Sequence, residues 1–225
     1  YTYFLILILI TLSYFLINMT NIHLKNKKLS FIIVAGTLLI LFSSIRSDNV
    51  GNDLPLYYKI FDCTNDLSLM DLFSGALQSK KFISIPVYNG NYEAGYILFT
   101  KLISIISNTH LSYKLFTSLF INIPILFFIY RHSKNVLLSV WIYILFGFYT
   151  QSFVIIRQYM ALSMTVLAVH FLNENNYKKA IIFSLISCTF HNTAVISLFF
   201  ILIKYFWKTI LRFSKFILLG LILFS

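Results

Sequence analysis

The stretch HLKNKKLSFIIVAGTLLILFSSIR, residues 23–46, shows the pattern that decides the fold. A basic cluster at residues 23–28 precedes the apolar run Leu29–Ile45, and Arg46 follows it. Such a run is typical of a helix that crosses a bilayer, whose hydrocarbon core takes about 20 apolar residues. Basic clusters beside membrane spans stay on the cytoplasmic side. The stretch therefore predicts a membrane helix that begins inside the cell and ends outside, at Arg46.

The composition extends this interpretation to the whole chain. Hydrophobic residues make up 59% of the 225 residues, charged residues make up 11%, and the mean hydropathy is +0.82. That leaves too few polar side chains to cover a soluble globule. The apolar runs are helix-length and not the short alternating segments of an outer-membrane barrel. The net charge of +11 comes from short clusters between apolar runs, so nucleic-acid binding is not expected.

We predict an all-α, polytopic transmembrane helical bundle that forms a single multi-pass domain over residues 1–225. The predicted spans are Thr2–Met19, Leu29–Ile45, Lys114–Tyr130, Val136–Phe153, Arg157–Leu172, Ala180–Phe190, Thr193–Ile203 and Phe216–Phe224. The chain begins inside one apolar run and stops inside another, so we expect it to be a piece of a longer protein.

The basic clusters predict the orientation of these spans. Four clusters, at residues 23–28, 131–134, 177–179 and 204–215, are expected in the cytoplasm. Tyr96–Asn108 would be only about 20 Å long as a helix, too short for a crossing, and is predicted to be an interfacial or re-entrant helix on the outer side. If it did cross, every later orientation would reverse. A long extracytoplasmic loop, from about residue 46 to 95, therefore separates the second and third spans.

Acidic residues are concentrated in this loop. Six of the seven lie in Arg46–Glu93, with four basic residues, for a net charge of −2, whereas the rest of the chain carries +13. Loops of this length are usually functional. We therefore expect the loop to belong to a polar site on the outer face.

Three further polar residues fall on the same face in this topology. Arg157 begins a helix between apolar residues, His191 sits at the turn between two short helices, and Glu93 ends the loop. Ionisable groups at the edge of a span usually face a polar cavity or a partner, although Arg157 snorkelling to the headgroups and His191 packing in the core are the ordinary alternatives. The predicted constellation consists of Arg46, Asp48, Asp53, Glu93, Arg157 and His191.

The remaining candidates have simpler explanations. Asp48 and Asp53, in DNVGND, suit turns and helix caps, and Leu54-Pro55 suits a helix start. Loop tyrosines, Tyr57, Tyr58, Tyr88, Tyr92 and Tyr96, fit either an interfacial belt or a sugar-binding surface. Asp62, Asp66 and Asp71 are expected on a solvated surface. The histidines other than His191 show no partner in the sequence, and the two cysteines, Cys63 and Cys188, show no metal-ligand spacing.

The order of several short motifs resembles the EpsG family of exopolysaccharide-biosynthesis membrane proteins, which are similar to Wzy-type O-antigen and capsule polymerases. The motifs are Ser44-Ile45-Arg46, Val50-Gly51-Asn52-Asp53, Tyr57-Tyr58, Glu93-Ala94-Gly95-Tyr96, Arg157-Gln158 and Phe190-His191-Asn192-Thr193-Ala194. Ala94 stands where Pro is expected, and Asn192 where Ser is usual. These departures concern turn geometry and remove no charged group.

The resemblance implies a polymerase-like glycosyltransferase in the bacterial cytoplasmic membrane that joins undecaprenyl-diphosphate-linked oligosaccharide repeats at its outer face. Arg157 is the first choice for stabilising the departing diphosphate and Arg46 the second. His191 ranks first as general base, before Glu93 and Asp53. The substrate-binding residues would be Arg46, Asp48, Tyr57, Tyr58, Tyr96 and Gln158. No metal and no cofactor are expected, and the partners would be membrane lipid and other polysaccharide-assembly proteins.

Two other functions stay open at this point. A flippase for the lipid-linked oligosaccharide would also need arginines for the diphosphate and aromatic residues for sugar. Many transporters show internal repeats, and no repeat is found here. A non-catalytic scaffold of a synthesis complex is the third possibility.

Overall fold

The computed structural model describes residues 2–21, 23–65, 92–207 and 211, and in these residues it contains helices and no strand. The helices are α1 (Thr2–Met19), α2 (Leu24–Ser44), α3 (Leu54–Asn65), α4 (Ala94–Ile106), α5 (His110–His132), α6 (Val136–Leu145), α7 (Phe148–Gln151), α8 (Ile156–Asn173), α9 (Tyr177–Phe190) and α10 (residues 196–207). A 3₁₀ turn, Asn192–Val195, precedes α10. The predicted all-α class is confirmed for the described residues.

Helices α2 and α5 form the centre of the bundle. They pack along each other, α1 packs on α2, and α8 packs on both α5 and α9. Two segments, Asn26–Ser44 and His110–His132, are long and apolar enough to cross a membrane, and the other apolar helices among the described residues are shorter. The side chains of Asn135 and Asn176 accept backbone N–H bonds at the starts of α6 and α9, which explains why those helices begin where they do.

The apolar runs locate most of the helices correctly. The first predicted span coincides with α1, whereas the second and third are longer in the structure because α2 and α5 include polar residues at their ends. The predicted short helix over Tyr96–Asn108 is the 13-residue α4. Span Phe216–Phe224 lies outside the described residues, as do the loop positions Asp66, Asp71 and Tyr88.

The predicted single span Val136–Phe153 is wrong. Helix α6 ends at Leu145, and Gly147, with φ at +81°, starts the separate four-residue helix α7. A left-handed residue cannot continue a right-handed helix, and glycine adopts this conformation without a Cβ clash. The chain after α7 then turns again before α8, which places Arg157 in the first turn of that helix.

The basic clusters lie together at one end of the bundle. Lys28 Nζ donates to the Ser133 carbonyl at 2.9 Å, and Arg131 Nη2 lies 2.9 Å from Glu174 Oε1. The described part of the acid-rich segment lies at the opposite end, together with the start of α8 and the end of α9. The charge asymmetry expected from the sequence is therefore present in the fold.

Candidate functional site

A polar pocket of about 170 Å³ opens at the acid-rich end of the bundle. It is lined by Asp53, Leu56, Tyr57, Tyr92, Ile155, Arg157, Gln158 and His191. These residues come from four segments that are far apart in the sequence. We refer to this cavity as the polar pocket.

Local structure explains how two of these residues reach the pocket. Asp53 closes a turn in which the Leu54 N–H bonds to the Gly51 carbonyl at 3.0 Å, and α3 then starts at Leu54, as Leu54-Pro55 predicts. Tyr57 follows one turn later on α3, with its N–H bonded to the Asp53 carbonyl at 3.1 Å. Both side chains therefore line the same cavity.

An ion pair between Arg157 and Glu93 forms one wall of the pocket. Arg157 Nη1 donates to Glu93 Oε2, and the two side chains are only 16% and 11% exposed. The guanidinium carbon lies 5.0 Å from the centroid of the Tyr92 ring, a cation–π contact. Within the described residues, the buried Nε of Arg157 has no hydrogen-bond partner. The guanidinium therefore keeps a donor in reserve although its charge is matched by Glu93.

Tyr57 lies against this ion pair. Burial raises the pKa of its hydroxyl, and the neighbouring Arg157 guanidinium opposes part of that rise. Its ring makes an edge contact with Tyr96, with 5.9 Å between the ring centroids. Tyr96 itself is completely buried and its hydroxyl lies 2.9 Å from that of Tyr113, so it supports Tyr57 from below and does not line the pocket.

The hydrogen bonds of His191 define which of its nitrogens is free. Its Nδ1 accepts the backbone N–H of Thr193 at 3.2 Å and lies 2.9 Å from the Thr193 hydroxyl. Because a backbone N–H can only donate, Nδ1 must be unprotonated, and the neutral ring carries its proton on Nε2. His191 therefore offers a hydrogen-bond donor from Nε2. The general-base role that ranked first from the sequence stays a prediction.

Asp53 is the carboxylate that lines the pocket. It is an exposed carboxylate in the wall of the pocket, and among the described residues it makes no ion pair and no side-chain hydrogen bond. Glu93, by contrast, is committed to Arg157. Gln158, next to Arg157, supplies an amide to the same wall.

Arg46, Asp48 and Tyr58 lie outside the polar pocket, so the expected single constellation is divided in two. The Asp48 carboxylate accepts bonds from Lys114 Nζ at 2.8 Å and from the Tyr58 hydroxyl at 2.6 Å. These bonds hold the pKa of Asp48 below its usual value, with the Lys114 bond as the larger cause. Lys114 also donates to the Arg46 carbonyl at 2.9 Å. Asp48 therefore orders the start of the loop.

One face of the Tyr58 ring is covered by a neighbouring side chain. It stacks on His110 with 3.9 Å between ring centroids, and His110 Nε2 lies 3.0 Å from the exposed carboxylate of Asp62. Two histidine pairings were missed from the sequence, this one and the contact of His132 with His170 at 2.9 Å. Both depend on which helices are neighbours.

No metal ligand is assigned. Among the residues that the structure describes, no three His, Cys, Asp or Glu side chains come close enough together to hold a metal ion. The polar pocket instead offers one carboxylate, one guanidinium, one imidazole N–H, one amide and two phenols, and a second carboxylate, Glu93, is paired with its guanidinium. Such groups bind hydroxyls, polarise a leaving group and accept a proton.

A helical bundle with two membrane-length helices and a polar pocket at one charged end fits a membrane protein that handles a polar substrate at one face. The chain belongs to the EpsG family, whose family model matches residues 28–225. The resemblance seen in the motifs is thereby confirmed, and a function related to exopolysaccharide biosynthesis follows from it. Comparisons with curated proteins and with solved structures found no match.

Proposed function

We propose that this protein is a polymerase-like glycosyltransferase that joins undecaprenyl-diphosphate-linked oligosaccharide repeats at the outer face of the bacterial cytoplasmic membrane. The observation that carries the proposal is the convergence of Asp53, Arg157 and His191 in one polar pocket, where Glu93 is the ion-pair partner of Arg157. The chain crosses the membrane several times, with the basic end in the cytoplasm.

The transfer places different demands on the two sides of the reacting carbon. A hydroxyl of the acceptor attacks the anomeric carbon of the donor, the bond from that carbon to the diphosphate oxygen breaks, and the bonding electrons leave with the lipid diphosphate. The sugar ring passes through an oxocarbenium-like transition state, which nearby carboxylates stabilise. The Asp53 and Glu93 carboxylates suit this side of the reaction.

Asp53 takes the proton of the attacking hydroxyl. A positioned base typically contributes about 10²–10⁴-fold to the rate, and Asp53 is the pocket carboxylate without a cation partner among the described residues. The proton leaves the acceptor oxygen as the new glycosidic bond forms.

Arg157 and His191 serve the departing diphosphate. The guanidinium fork matches phosphate oxygens. The Nε2–H of His191 donates a further hydrogen bond. Since Glu93 already balances the charge of Arg157, the pocket binds the sugar ring without a large excess of positive charge.

Matched substitutions at the two ends of the bundle test the proposal. The full chain, purified in lipid nanodiscs and supplied with lipid-linked repeats, should form polymer, and both Arg157→Lys and Asp53→Asn should reduce the product to unjoined repeats. Arg131→Lys, in the exposed ion pair at the basic end, and Asp62→Asn, in the exposed pair with His110, are the controls and should leave chain length unchanged.

Two outcomes would reject the polymerase assignment. If both Arg157→Lys and Asp53→Asn give polymer of wild-type length, neither residue has the catalytic role proposed for it. Movement of the lipid-linked repeat across a vesicle membrane without joining would identify a transporter instead.

Cysteine labelling tests the topology. In a variant in which Ser replaces both native cysteines, Asn52→Cys and Asn192→Cys should react with an impermeant reagent added outside the cell, and Asn173→Cys should be protected. All three positions are exposed in the structure. The reverse labelling pattern would contradict the proposed orientation.

A further inference from the structure

A second cavity, of about 390 Å³, lies at the same end of the bundle and shares no lining residue with the polar pocket. Its walls are mostly apolar and come from α1, the end of α2 and the segment around α7. The lining residues used below are Tyr3, Ile6, Phe42, Arg46, Tyr149 and Phe153. We refer to this cavity as the amphiphilic pocket.

The cation of this pocket is Arg46, which makes no direct ion pair among the described residues. Its Nη1 donates to the Ser43 carbonyl at 2.6 Å, its guanidinium carbon lies 4.8 Å from the centroid of the Phe153 ring, and its buried Nε has no hydrogen-bond partner. Asp48, two residues on, is committed to Lys114 and Tyr58. The burial lowers the pKa of Arg46.

A half-buried cation without a direct ion-pair partner is unfavourable, and it favours the binding of an anion. Arg157 differs from Arg46 in this respect, because its guanidinium is paired with Glu93. The apolar walls beside Arg46 select an anion that carries a hydrocarbon chain. The chemistry of the amphiphilic pocket is therefore that of a phosphate-headed lipid.

The wall between the two pockets decides which lipid this is. Residues 50–53 and 153–155 run from one pocket to the other. They touch at Gly51, where φ is +106° and an added Cβ would lie 2.5 Å from the Phe153 carbonyl oxygen. Backbone therefore stands between the cavities.

A diphosphate bonded directly to the reacting sugar carbon cannot lie across that wall. The diphosphate of the donor must therefore be held within the polar pocket. The diphosphate of the acceptor, however, is separated from its attacking hydroxyl by a whole oligosaccharide repeat. That repeat can extend from one pocket to the other.

We infer that the amphiphilic pocket binds the diphosphate and the first isoprene units of the acceptor, the incoming lipid-linked repeat. This inference rests on the proposed function. Arg46 binds the diphosphate, and the apolar side chains of α1 and α2 contact the chain.

Binding of sugar-free undecaprenyl diphosphate tests the inference apart from catalysis. Native mass spectrometry of the full chain should show two bound molecules, one per pocket. Arg46→Gln should weaken one of the two sites about 10- to 100-fold, the usual effect of losing hydrogen bonds to a charged group. Arg157→Gln should weaken the other, and Arg131→Gln, at the basic end, should weaken neither. Arg46→Lys, which keeps the charge, should bind with intermediate affinity and shows whether the fold is intact.

A kinetic arm separates acceptor from donor. The wild type should prefer a lipid-linked acceptor to the same oligosaccharide without lipid, and Arg46→Gln should lose that preference, whereas Arg131→Gln, in the exposed pair at the basic end, should keep it. Two unweakened sites in Arg46→Gln, or an unchanged preference, would overturn the inference.

Phosphatidylglycerol tests the other source of a lipid phosphate. If it displaces undecaprenyl diphosphate from the Arg46 site at equal concentration, the occupant is a phospholipid and the inference fails. Failure of the proposed function would appear in a different assay. Polymer formation would then not depend on Arg157 and Asp53, and the effect of Arg46→Gln on lipid binding would not change that result.

Discussion

The ion pair of Arg157 with Glu93 and that of Arg131 with Glu174 form a natural comparison. Both join an arginine to a glutamate from a distant segment. The first pair is 16% and 11% exposed, and the second is 49% and 42% exposed. The difference in burial should therefore appear directly in the free energy of unfolding.

Removing one member of a fully buried pair costs about 3–5 kcal/mol, because the other charge is left without a partner. The residual exposure of Glu93 places the expected cost of Glu93→Gln at the lower end, about 3 kcal/mol. Glu174→Gln should cost no more than about 1 kcal/mol. The double variant Glu93→Gln/Arg157→Gln should lose less than the two single losses combined, since no unpaired charge remains.

The assay is unfolding of the purified protein in mixed micelles as the fraction of denaturing detergent rises, with helix content followed by circular dichroism. Each variant is compared with the wild type at one ionic strength. A loss below about 1 kcal/mol for Glu93→Gln, equal to that of Glu174→Gln, would refute the argument from burial. If the loss of unfolding free energy in the double variant equals the sum of the two single losses, the two side chains are not energetically coupled.

Three other variants should each change one measurable property. Gly51→Ala should lower the melting temperature and stop polymer formation, because its positive φ costs about 1–2 kcal/mol and its Cβ would force the Phe153 carbonyl to move. Asp48→Asn should flatten the acid limb of the unfolding curve, recorded from about pH 5 to pH 3. The lowered pKa of Asp48 contributes stability that is present above its usual value of 3.8 and is lost as pH falls through the folded pKa. His191→Gln should retain more polymerising activity than His191→Asn, since a glutamine amide reaches the position of Nε2.

Gly147→Ala is the control for Gly51→Ala, and each of the three predictions has a result that would contradict it. Gly147→Ala, at φ +81° and with no contact closer than 3.7 Å for the added Cβ, should lose only the backbone contribution. An equal loss at Gly51 and Gly147 would contradict the proposed contact with Phe153. If the loss of stability at acid pH is the same in Asp48→Asn as in the wild type, the Lys114 bond does not contribute the pH-dependent stability assigned to it. Higher activity in His191→Asn would return the reactive role to Nδ1.

The sequence predicts the helices well because hydrophobic runs depend on local composition alone. It also predicts the two charged ends, because basic clusters and the acid-rich segment are separate in the chain. The break at Gly147 was missed, although a glycine inside an apolar run is a signal for it. Pairings such as His132 with His170 depend on how helices pack, which no local pattern contains.

The site is predictable in part for the same reason. Arg157, Glu93 and His191 are conspicuous as polar groups at the ends of apolar runs. The structure brings Arg157 and His191 to one pocket with Asp53 and pairs Glu93 with Arg157. Lys114 was placed inside a predicted span, so its role as the partner of Asp48 went unnoticed. A lysine near the outer end of an apolar helix, facing an acid-rich loop, was the signal available.

The two arginines show most clearly what the sequence leaves out. Arg46 and Arg157 each adjoin an apolar run, and nothing in their immediate neighbours separates their roles. The difference arises from Glu93, 64 residues before Arg157, which pairs with that arginine, and from Lys114, which bonds to Asp48 so that Arg46 has no direct carboxylate partner among the described residues. One guanidinium is therefore balanced within the protein, and the other still favours an anion from outside. The backbone wall between these two cations is consistent with the proposal that donor and acceptor diphosphates are bound at separate sites.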